Sequence, residues 1–282
     1  MAFAINFEAL QVEHTRATVH ICLSRPASRN AMSLQMVAEL RQVLQDAEAT
    51  IGTPDAVRVV VLRGAGGHFS AGADLKDMAV ARMRSIQAPE KGEGGHDAPD
   101  PVAVVNAAFG ELCVAYARTP LAVVAVLEGT VMGGGFGLAC VADVAIASET
   151  VNFRLPETSL GVVPAQIAPF LVERLGYSQA KRLAVTGGRL DAAAALRLGL
   201  VHTVVDTADL QVELGKVLAD ILACAPGALA ATKALMAQAR LREPQDLVQA
   251  AAAIFSRATQ GPEGLEGIAA FMQKRKPQWA MP

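Results

Sequence analysis

Two glycine-rich turns and one acidic residue are the groups in this 282-residue sequence that could carry out chemistry. The first turn spans residues 68–75 (HFSAGADL), and the second spans residues 128–139 (EGTVMGGGFGLA). The acid is Glu157, at the end of the segment FRLPE. Successive glycines let a backbone approach a ligand closely. A helix that begins at the second turn would point unpaired N–H groups toward that ligand, and an amide from residues 71–74 could complete an oxyanion hole.

Other glycine motifs and metal sites have no support in the sequence. The spacing in residues 133–137 (GGGFG) is not the GxGxxG of a dinucleotide site, and no GxxxxGK[ST] phosphate loop occurs. The nucleophile motif GxSxG fails at Ser70, because His68 stands two places before it. The four cysteines lie far apart without metal-ligand spacing, so we expect free thiols and no metal.

The composition favours a cytoplasmic protein. The 25 basic and 27 acidic residues nearly balance, which gives no electrostatic footprint for nucleic acid or for an anionic membrane. No segment approaches the run of about 18 apolar residues that a membrane span needs. Residues 1–10 lack the basic start and apolar run of a signal peptide. We therefore expect no nucleic-acid or membrane partner.

The elements that must position the two turns follow an α/β pattern. A hairpin is predicted from residues 3–12 and 18–23, and Ser33 is a good N-cap for a helix. Short β-branched runs predict buried strands at residues 57–62, 121–127 and 141–147. The later helices are predicted at residues 178–185, 191–198, 208–224, 227–240, 245–259 and 262–274, with a short strand at 201–205. Strands separated by helices indicate an α/β core followed by a helical region.

One segment carries almost nothing that could be buried. Residues 88–101 (APEKGEGGHDAPDP) are rich in glycine, proline and charge. This composition predicts a surface loop, either disordered or acting as a lid.

In this order, the motifs resemble the crotonase family, also called the enoyl-CoA hydratase/isomerase family. The resemblance runs from about Arg25 to Lys276 and includes the SAGADL turn, the GGG turn and the Pro-Glu pair that ends at Glu157. It implies a spiral of ββα units at residues 1–205, with the active site, and a helical trimerisation region at residues 206–282. The implied assembly is a homotrimer or a dimer of trimers.

The resemblance also implies the roles of individual residues. The substrate would be a coenzyme A thioester, with no further cofactor. The catalytic groups would be the Glu157 carboxylate and the amides of Ala73 and Gly134, which hold the thioester oxygen. The residues implied to bind coenzyme A are Arg29, Ala31, Ala71, Ala73, Asp74, Leu75 and Lys76, together with Phe271 and Lys274, which reach the nucleotide of a neighbouring subunit.

The sequence departs from the family pattern at Gly137. Hydratases of the family typically use two glutamates, and the second would fall at this position. Adding water to a conjugated thioester needs a base for the water and an acid for the α-carbon. Moving a double bond from the 3 to the 2 position needs only one base, so Gly137 favours an isomerase.

Two other segments favour a hydratase. Residues 164–169 (PAQIAP) and 195–202 (ALRLGLVH) resemble the branch of the family that acts on branched or glutaconyl-type thioesters. The missing group could then come from another polar residue, such as Gln166 or Glu111, or Glu157 could serve both steps. Arg154 is a candidate partner for the extra carboxylate of a glutaconyl-type substrate.

Three functions therefore stay open. The leading one is an enoyl-CoA hydratase, the second is a 3,2-enoyl-CoA isomerase with Glu157 as its sole base, and the third is a weakly catalytic thioester-binding or scaffold protein. Structural roles are expected for three polar residues near the motifs, namely His68, Asp74 and Asp143.

Overall fold

The computed structural model describes residues 7–87 and 100–280, and the predicted loop at residues 88–101 therefore lies mostly outside the described residues. The strands are β1 (Leu10–Thr15), β2 (Thr18–Leu23), β3 (Val59–Gly64), β4 (Ala122–Leu127), β5 (Thr130–Met132), β6 (Val144–Ser148), β7 (Asn152–Arg154), β8 (Arg189–Asp191) and β9 (Thr203–Val205). The helices are α1 (Leu34–Glu48), α2 (Leu75–Gln87), α3 (Pro101–Arg118), α4 (Gly134–Val141), α5 (Ala168–Thr186), α6 (Ala192–Arg197), α7 (Leu210–Leu222), α8 (Pro226–Ala239), α9 (Pro244–Gln260) and α10 (Pro262–Met272).

The strands form two sheets. The larger has the order β1-β2-β3-β4-β6-β9, with an antiparallel β1–β2 hairpin and parallel pairing from β2 onward. The smaller has the order β5-β7-β8. Its β5 and β7 are parallel, and β7 and β8 are antiparallel. The predicted α/β core followed by helices matches this architecture.

The central strands are buried on both faces, as their continuous apolar sequences require. All six residues of β4 (AVVAVL) are buried. One face of the larger sheet contributes Val60 and Val123 to the main core. The opposite face contributes Val61 and Val124 to a second core, which Leu210 of α7 covers.

Several predicted boundaries were wrong, and two helices were missed. Strand β1 begins at Leu10 and continues to Thr15, so the turn is the two residues after it. Val141 ends α4 rather than starting a strand, because a continuous apolar run has no periodicity that separates helix from strand. Helices α2 and α3 were not predicted. Ser33 does cap α1, since its hydroxyl accepts a hydrogen bond from the Met36 N–H.

Within the described residues, no single helix is long and apolar enough to cross a membrane. The segments Thr207–Leu222 and Pro226–Ala239 pass that test only when taken together, and they are bent by 96° at the break between them.

Candidate active site

The two glycine-rich turns lie side by side. Ser70 forms an isolated parallel bridge with Val131 of β5, and Met32 forms another with Ala73. The Ser70 N–H donates to the Thr130 carbonyl, and the Met132 N–H donates to the Ser70 carbonyl. Motifs that are about 60 residues apart in the sequence therefore meet along one short stretch of backbone.

Asn30 connects the first glycine-rich turn to neighbouring segments through hydrogen bonds of its side chain. Its side chain is fully buried, and its backbone has a left-handed φ of 56°. Its Oδ1 accepts from the Arg25 N–H, and its Nδ2 donates to the carbonyls of Ala65 and His68 at 2.9 and 2.7 Å. The Ser70 hydroxyl donates to the Asn30 carbonyl. The sequence motif RNAM contains this residue, but its structural role was not predicted.

Asp74 holds the first turn through an ion pair. Its Oδ2 lies 2.7 Å from Arg25 Nη2, and its Oδ1 accepts from the Lys76 N–H. Burial opposes ionisation, but the hydrogen bonds from Lys76 and Arg25 outweigh it and lower the pKa of Asp74. Arg25 also donates to the Ala31 carbonyl at 2.6 Å, which links the predicted coenzyme A segments around residues 29–31 and 71–76.

The backbone amides of Ala73 and Gly134 are among those at the turns that have no hydrogen-bond partner in the described part of the chain. Ala73 is exposed and Gly134 is half-buried. A methyl group added at Gly72, where φ is +92°, would lie 2.9 Å from the Met132 carbonyl oxygen and 3.4 Å from the Gly134 nitrogen. This close approach of the two turns requires a glycine.

Glu157 lies close to the place where the two turns approach each other. It opens a short 3₁₀ helix after Pro156. A methyl group added at Gly133, where φ is +49°, would lie 3.1 Å from Glu157 Oε1 and 3.8 Å from the Gly72 Cα. The structure therefore brings both turns and the predicted acid to one place.

The Glu157 carboxyl is poorly solvated. Its Oε2 is buried and has no hydrogen-bond partner among the described residues. Burial raises the pKa of Glu157, although its own backbone N–H partly opposes the shift. A buried polar atom without a partner at such a place is typical of a functional group. A raised pKa brings a carboxyl group closer to the range in which it both accepts and releases protons at neutral pH.

The position of the second family glutamate faces apolar side chains. A methyl group at Gly137 would lie 2.3 Å from Ile167 Cγ2 and 3.7 Å from Phe109 Cε1. A methyl group at Gly134 would lie 2.6 Å from Met32 Cε and 3.1 Å from Phe109 Cζ. We call Met32, Phe109 and Ile167 the apolar wall. Phe109 was missed in the sequence because α3, which carries it, was not predicted.

The three polar candidates for further roles have different surroundings. Glu111 is exposed on α3 and pairs with Arg41 of α1. Gln166 donates from Nε2 to Asn106 Oδ1 at 2.8 Å. Arg154 accepts from the Gly133 N–H through its carbonyl, and its Nε is buried without a partner in the described structure.

His68 and Asp143 have structural contacts. His68 Nδ1 accepts from the Thr130 N–H, which joins the two turns. Asp143 Oδ2 accepts from the Val123 N–H and pairs with Lys233 of α8 at 2.6 Å.

The predicted C-terminal residues lie at the end of α10 and just after it. Phe271, near the end of α10, is 85% exposed, and Lys274 follows with φ 54°. No described hydrogen bond or ion pair joins either residue to residues 71–76.

Comparison with known proteins places this arrangement in a family. A model described as enoyl-CoA hydratase/isomerase matches residues 13–282. The chain belongs to this family. An enoyl-CoA hydratase/isomerase from Marinobacter aquaeolei is 48% identical with a TM-score of 0.88, over 97% of this chain and 100% of that one. For AtuE from Pseudomonas aeruginosa the identity is 49%, with the same TM-score and coverage.

More distant members of the enoyl-CoA hydratase/isomerase family align over the same length. Enoyl-CoA hydratase AFT6-1 from Alternaria alternata is 32% identical over 273 residues, which are 96% of this chain and 83% of that protein. The predicted family and the predicted α/β fold with C-terminal helices are therefore confirmed.

Proposed function

We propose that this protein is an enoyl-CoA hydratase in which Glu157 is the only catalytic carboxylate. The observation that carries the proposal is the buried, unpartnered Oε2 of Glu157 beside the unpaired amides of Ala73 and Gly134. The family relative from Alternaria alternata, which carries the name enoyl-CoA hydratase, supports it.

The proposed reaction begins with the thioester oxygen between the two amides. Glu157 accepts a proton from water while the hydroxyl oxygen adds to C3 of the conjugated thioester. The electron pair of the double bond moves to the thioester oxygen, where the two N–H groups stabilise the resulting enolate. Glu157 then returns the proton to C2, which gives the 3-hydroxyacyl thioester and regenerates the carboxylate.

An isomerase is the second candidate, and the apolar wall favours it. Ile167 and Phe109 face Gly137, so no carboxylate stands at the position of the second family glutamate. A single base between C2 and C4 suffices to move a double bond into conjugation. In the third alternative, a thioester-binding scaffold, Glu157 would have no catalytic role.

A branched or glutaconyl-type acyl chain is the finer proposal for the substrate. The Nε of Arg154 supports it, because this N–H is buried without a described partner and an arginine side chain is a suitable partner for a carboxylate. Arg25 links two segments of the chain, since it pairs with Asp74 and donates to the Ala31 carbonyl. We propose that coenzyme A binds to residues of these two segments, namely Arg29, Ala31, Ala71, Ala73, Asp74, Leu75 and Lys76.

We also propose a homotrimer or a dimer of trimers. Large apolar side chains stand exposed on the last two helices, including Phe255, Leu265 and Phe271 at 71, 61 and 85%. Such clusters on the surface of a monomer are typical of interfaces. In this assembly Phe271 and Lys274 would reach the nucleotide of a neighbouring subunit. Analytical ultracentrifugation tests it, and a monomer would contradict it.

A panel of thioesters separates the two enzymatic candidates. The panel is crotonyl-CoA, 3-hexenoyl-CoA and 3-methylglutaconyl-CoA, with product analysis in ¹⁸O-labelled water. A hydratase incorporates the label and removes the conjugated double bond. Conversion of 3-hexenoyl-CoA to the conjugated isomer without label, and no hydration of the other two, would establish the isomerase instead.

A further inference from the structure

Two amide side chains lie beside the apolar wall and have no part in the proposed reaction. Asn106 is on α3, and Gln166 lies just before α5. Gln166 Nε2 donates to Asn106 Oδ1 at 2.8 Å, and both side chains are half-buried. We call Asn106 and Gln166 the amide pair.

The packing of α3 accommodates this pair. A methyl group added at Gly110 would lie 2.1 Å from Gln166 Oε1 and 2.6 Å from its Cδ. Glycine is a poor helix former, yet it occupies the interior of α3 at this point. The absence of a side chain at Gly110 lets the Gln166 amide approach the backbone of α3 closely.

The pair is next to the reacting groups but separated from them. Gln166 precedes Ile167, whose side chain covers Gly137. Asn106 lies three residues before Phe109, so both residues occupy the same side of α3. Phe109 in turn contacts the positions of both Gly134 and Gly137. The amide pair therefore lies beyond the apolar wall as seen from the oxyanion amides.

The unused hydrogen-bonding capacity of the pair includes N–H donors as well as lone pairs on Gln166 Oε1 and Asn106 Oδ1. Asn106 Nδ2 makes no described hydrogen bond, which leaves two N–H groups, and Gln166 Nε2 retains one. Asn106 Nδ2 is not among the buried polar atoms that lack a partner, so this nitrogen is open to solvent or to a ligand. The three remaining N–H groups are on neutral side chains and suit an oxygen acceptor.

From this geometry we infer that Asn106 and Gln166 select enoyl thioesters whose acyl chain carries an acceptor oxygen beyond the double bond. The inference rests on the proposed thioester function. A thioester held at Ala73 and Gly134 would pass its first carbons along the apolar wall and present its distal substituent to the pair. A carboxylate, an ester and a ketone share the required chemistry.

The same pair could instead hold the attacking water. Ile167 stands between Gln166 and Gly137, which argues for the distal role. The two roles differ in a measurable way, because a water-positioning residue changes the turnover of every substrate, whereas a residue that contacts a substituent changes only substrates that carry it.

The experiment compares kcat/KM for four thioesters. Glutaconyl-CoA carries a carboxylate, its monomethyl ester carries a neutral acceptor, 5-methyl-2-hexenoyl-CoA is the hydrocarbon of the same shape, and crotonyl-CoA lacks the distal group. The variants are Asn106→Leu and Gln166→Met, with Gln42→Met, an exposed amide on α1, as the matched control. Gly110→Ala is an independent test, because its methyl group displaces the Gln166 amide.

We expect the wild-type protein to prefer an oxygen-bearing chain over the hydrocarbon by at least about tenfold, the effect of roughly one good hydrogen bond. This preference should fall toward one in Asn106→Leu, Gln166→Met and Gly110→Ala. Turnover of crotonyl-CoA should change by less than about threefold, and Gln42→Met should match the wild type. If the enzyme prefers only glutaconyl-CoA, the site recognises the negative charge of the carboxylate as well as its oxygen. If it uses the monomethyl ester equally well, the site recognises a neutral acceptor oxygen.

Two results would overturn the inference while the proposed function stands. One is a wild-type protein that hydrates crotonyl-CoA but shows no preference for an oxygen-bearing chain. The other is an equal loss of kcat/KM on all four substrates in folded variants, which would indicate that the amide pair acts at the reacting carbons and not at the distal group. A folded wild-type protein that turns over none of the four would instead contradict the proposed function itself.

Discussion

Ile167 occupies the space directly in front of Gly137: a methyl group on Gly137 would lie 2.3 Å from Ile167 Cγ2 and 3.1 Å from its Cβ. A glutamate cannot enter this position unless Ile167 moves. The absence of a second acid is therefore built into the packing of α4 against the start of α5.

This relationship predicts the outcome of restoring the acid. Gly137→Glu alone should lower the free energy of unfolding by about 1–3 kcal/mol, because it overpacks a buried position. In the Ile167→Ala background the same Gly137→Glu change should cost less, because the space of the Ile167 side chain is then free. The double variant should also hydrate crotonyl-CoA at least about tenfold faster than Ile167→Ala alone, since a positioned general acid contributes about 10²–10⁴-fold. Urea denaturation and initial rates measure both effects, and a double variant no faster than Ile167→Ala would contradict this account of the pocket.

The close approach of the two turns predicts a sensitive site at Gly72. Gly72→Ala should reduce kcat/KM by about 10²-fold or more, because its methyl group pushes the first turn away from Met132 and the Gly134 amide. The matched control is Gly52→Ala. Gly52 also has a positive φ, of 84°, but no atom lies within 4 Å of an added methyl group. A Gly72→Ala enzyme that keeps the activity of the Gly52→Ala enzyme would show that the turns need not touch.

Asn30 should be a stability determinant. Asn30→Ala removes three side-chain hydrogen bonds and leaves the partly buried carbonyls of Ala65 and His68 without these donors. We expect a loss of at least about 2 kcal/mol in the free energy of unfolding, with a lower Tm. The exposed Asn152 supplies the control, and Asn152→Ala should stay within about 0.5 kcal/mol. Equal effects of the two substitutions would refute the role of Asn30.

The raised pKa of Glu157 predicts opposite effects of pH on activity and stability. The rate should fall on acidification at a pH above the ordinary glutamate value of 4.5, because the base becomes protonated earlier. A carboxyl group whose pKa is higher in the folded state binds more protons there, so its ionisation destabilises the fold as the pH rises through that window. Glu157→Gln should therefore be more stable than the wild type at pH 7.5 and equally stable at pH 4.

Urea denaturation at the two pH values tests the stability effect. A gain for Glu157→Gln that is as large at pH 4 as at pH 7.5 would assign it to packing and not to the charge.

The sequence predicts the parts of the site whose signal is local. Three consecutive glycines, an N-cap at Ser33 and a Pro-Glu pair each have a meaning that depends only on neighbouring residues. Phe109 and Ile167 have no such signal, since they meet at Gly137 through the packing of helices that are about 60 residues apart in the sequence. Asn30 likewise acts through contacts with residues 35 to 40 positions later, which no local pattern encodes.

The residue at which α4 ends and β6 begins could not be predicted from the local sequence either. Residues 138–147 (LACVADVAIA) are apolar almost throughout, so neither a helical nor a strand periodicity stands out. The structure ends the helix at Val141 and begins β6 at Val144, where the chain joins the sheet beside β4. The division at residues 205 and 206 between core and helical region stays a prediction.

Turnover of crotonyl-CoA by Glu157→Gln, with binding of the thioester measured by calorimetry, tests the central claim most directly. Glu111→Gln is the matched control, because it removes an exposed carboxylate on α3 that pairs with Arg41. The account predicts that Glu157→Gln loses hydration by at least about 10²-fold and keeps its affinity within about tenfold, while Glu111→Gln behaves like the wild type. Retained hydration in Glu157→Gln, or its loss in Glu111→Gln, would contradict the assignment of Glu157 as the sole catalytic carboxylate.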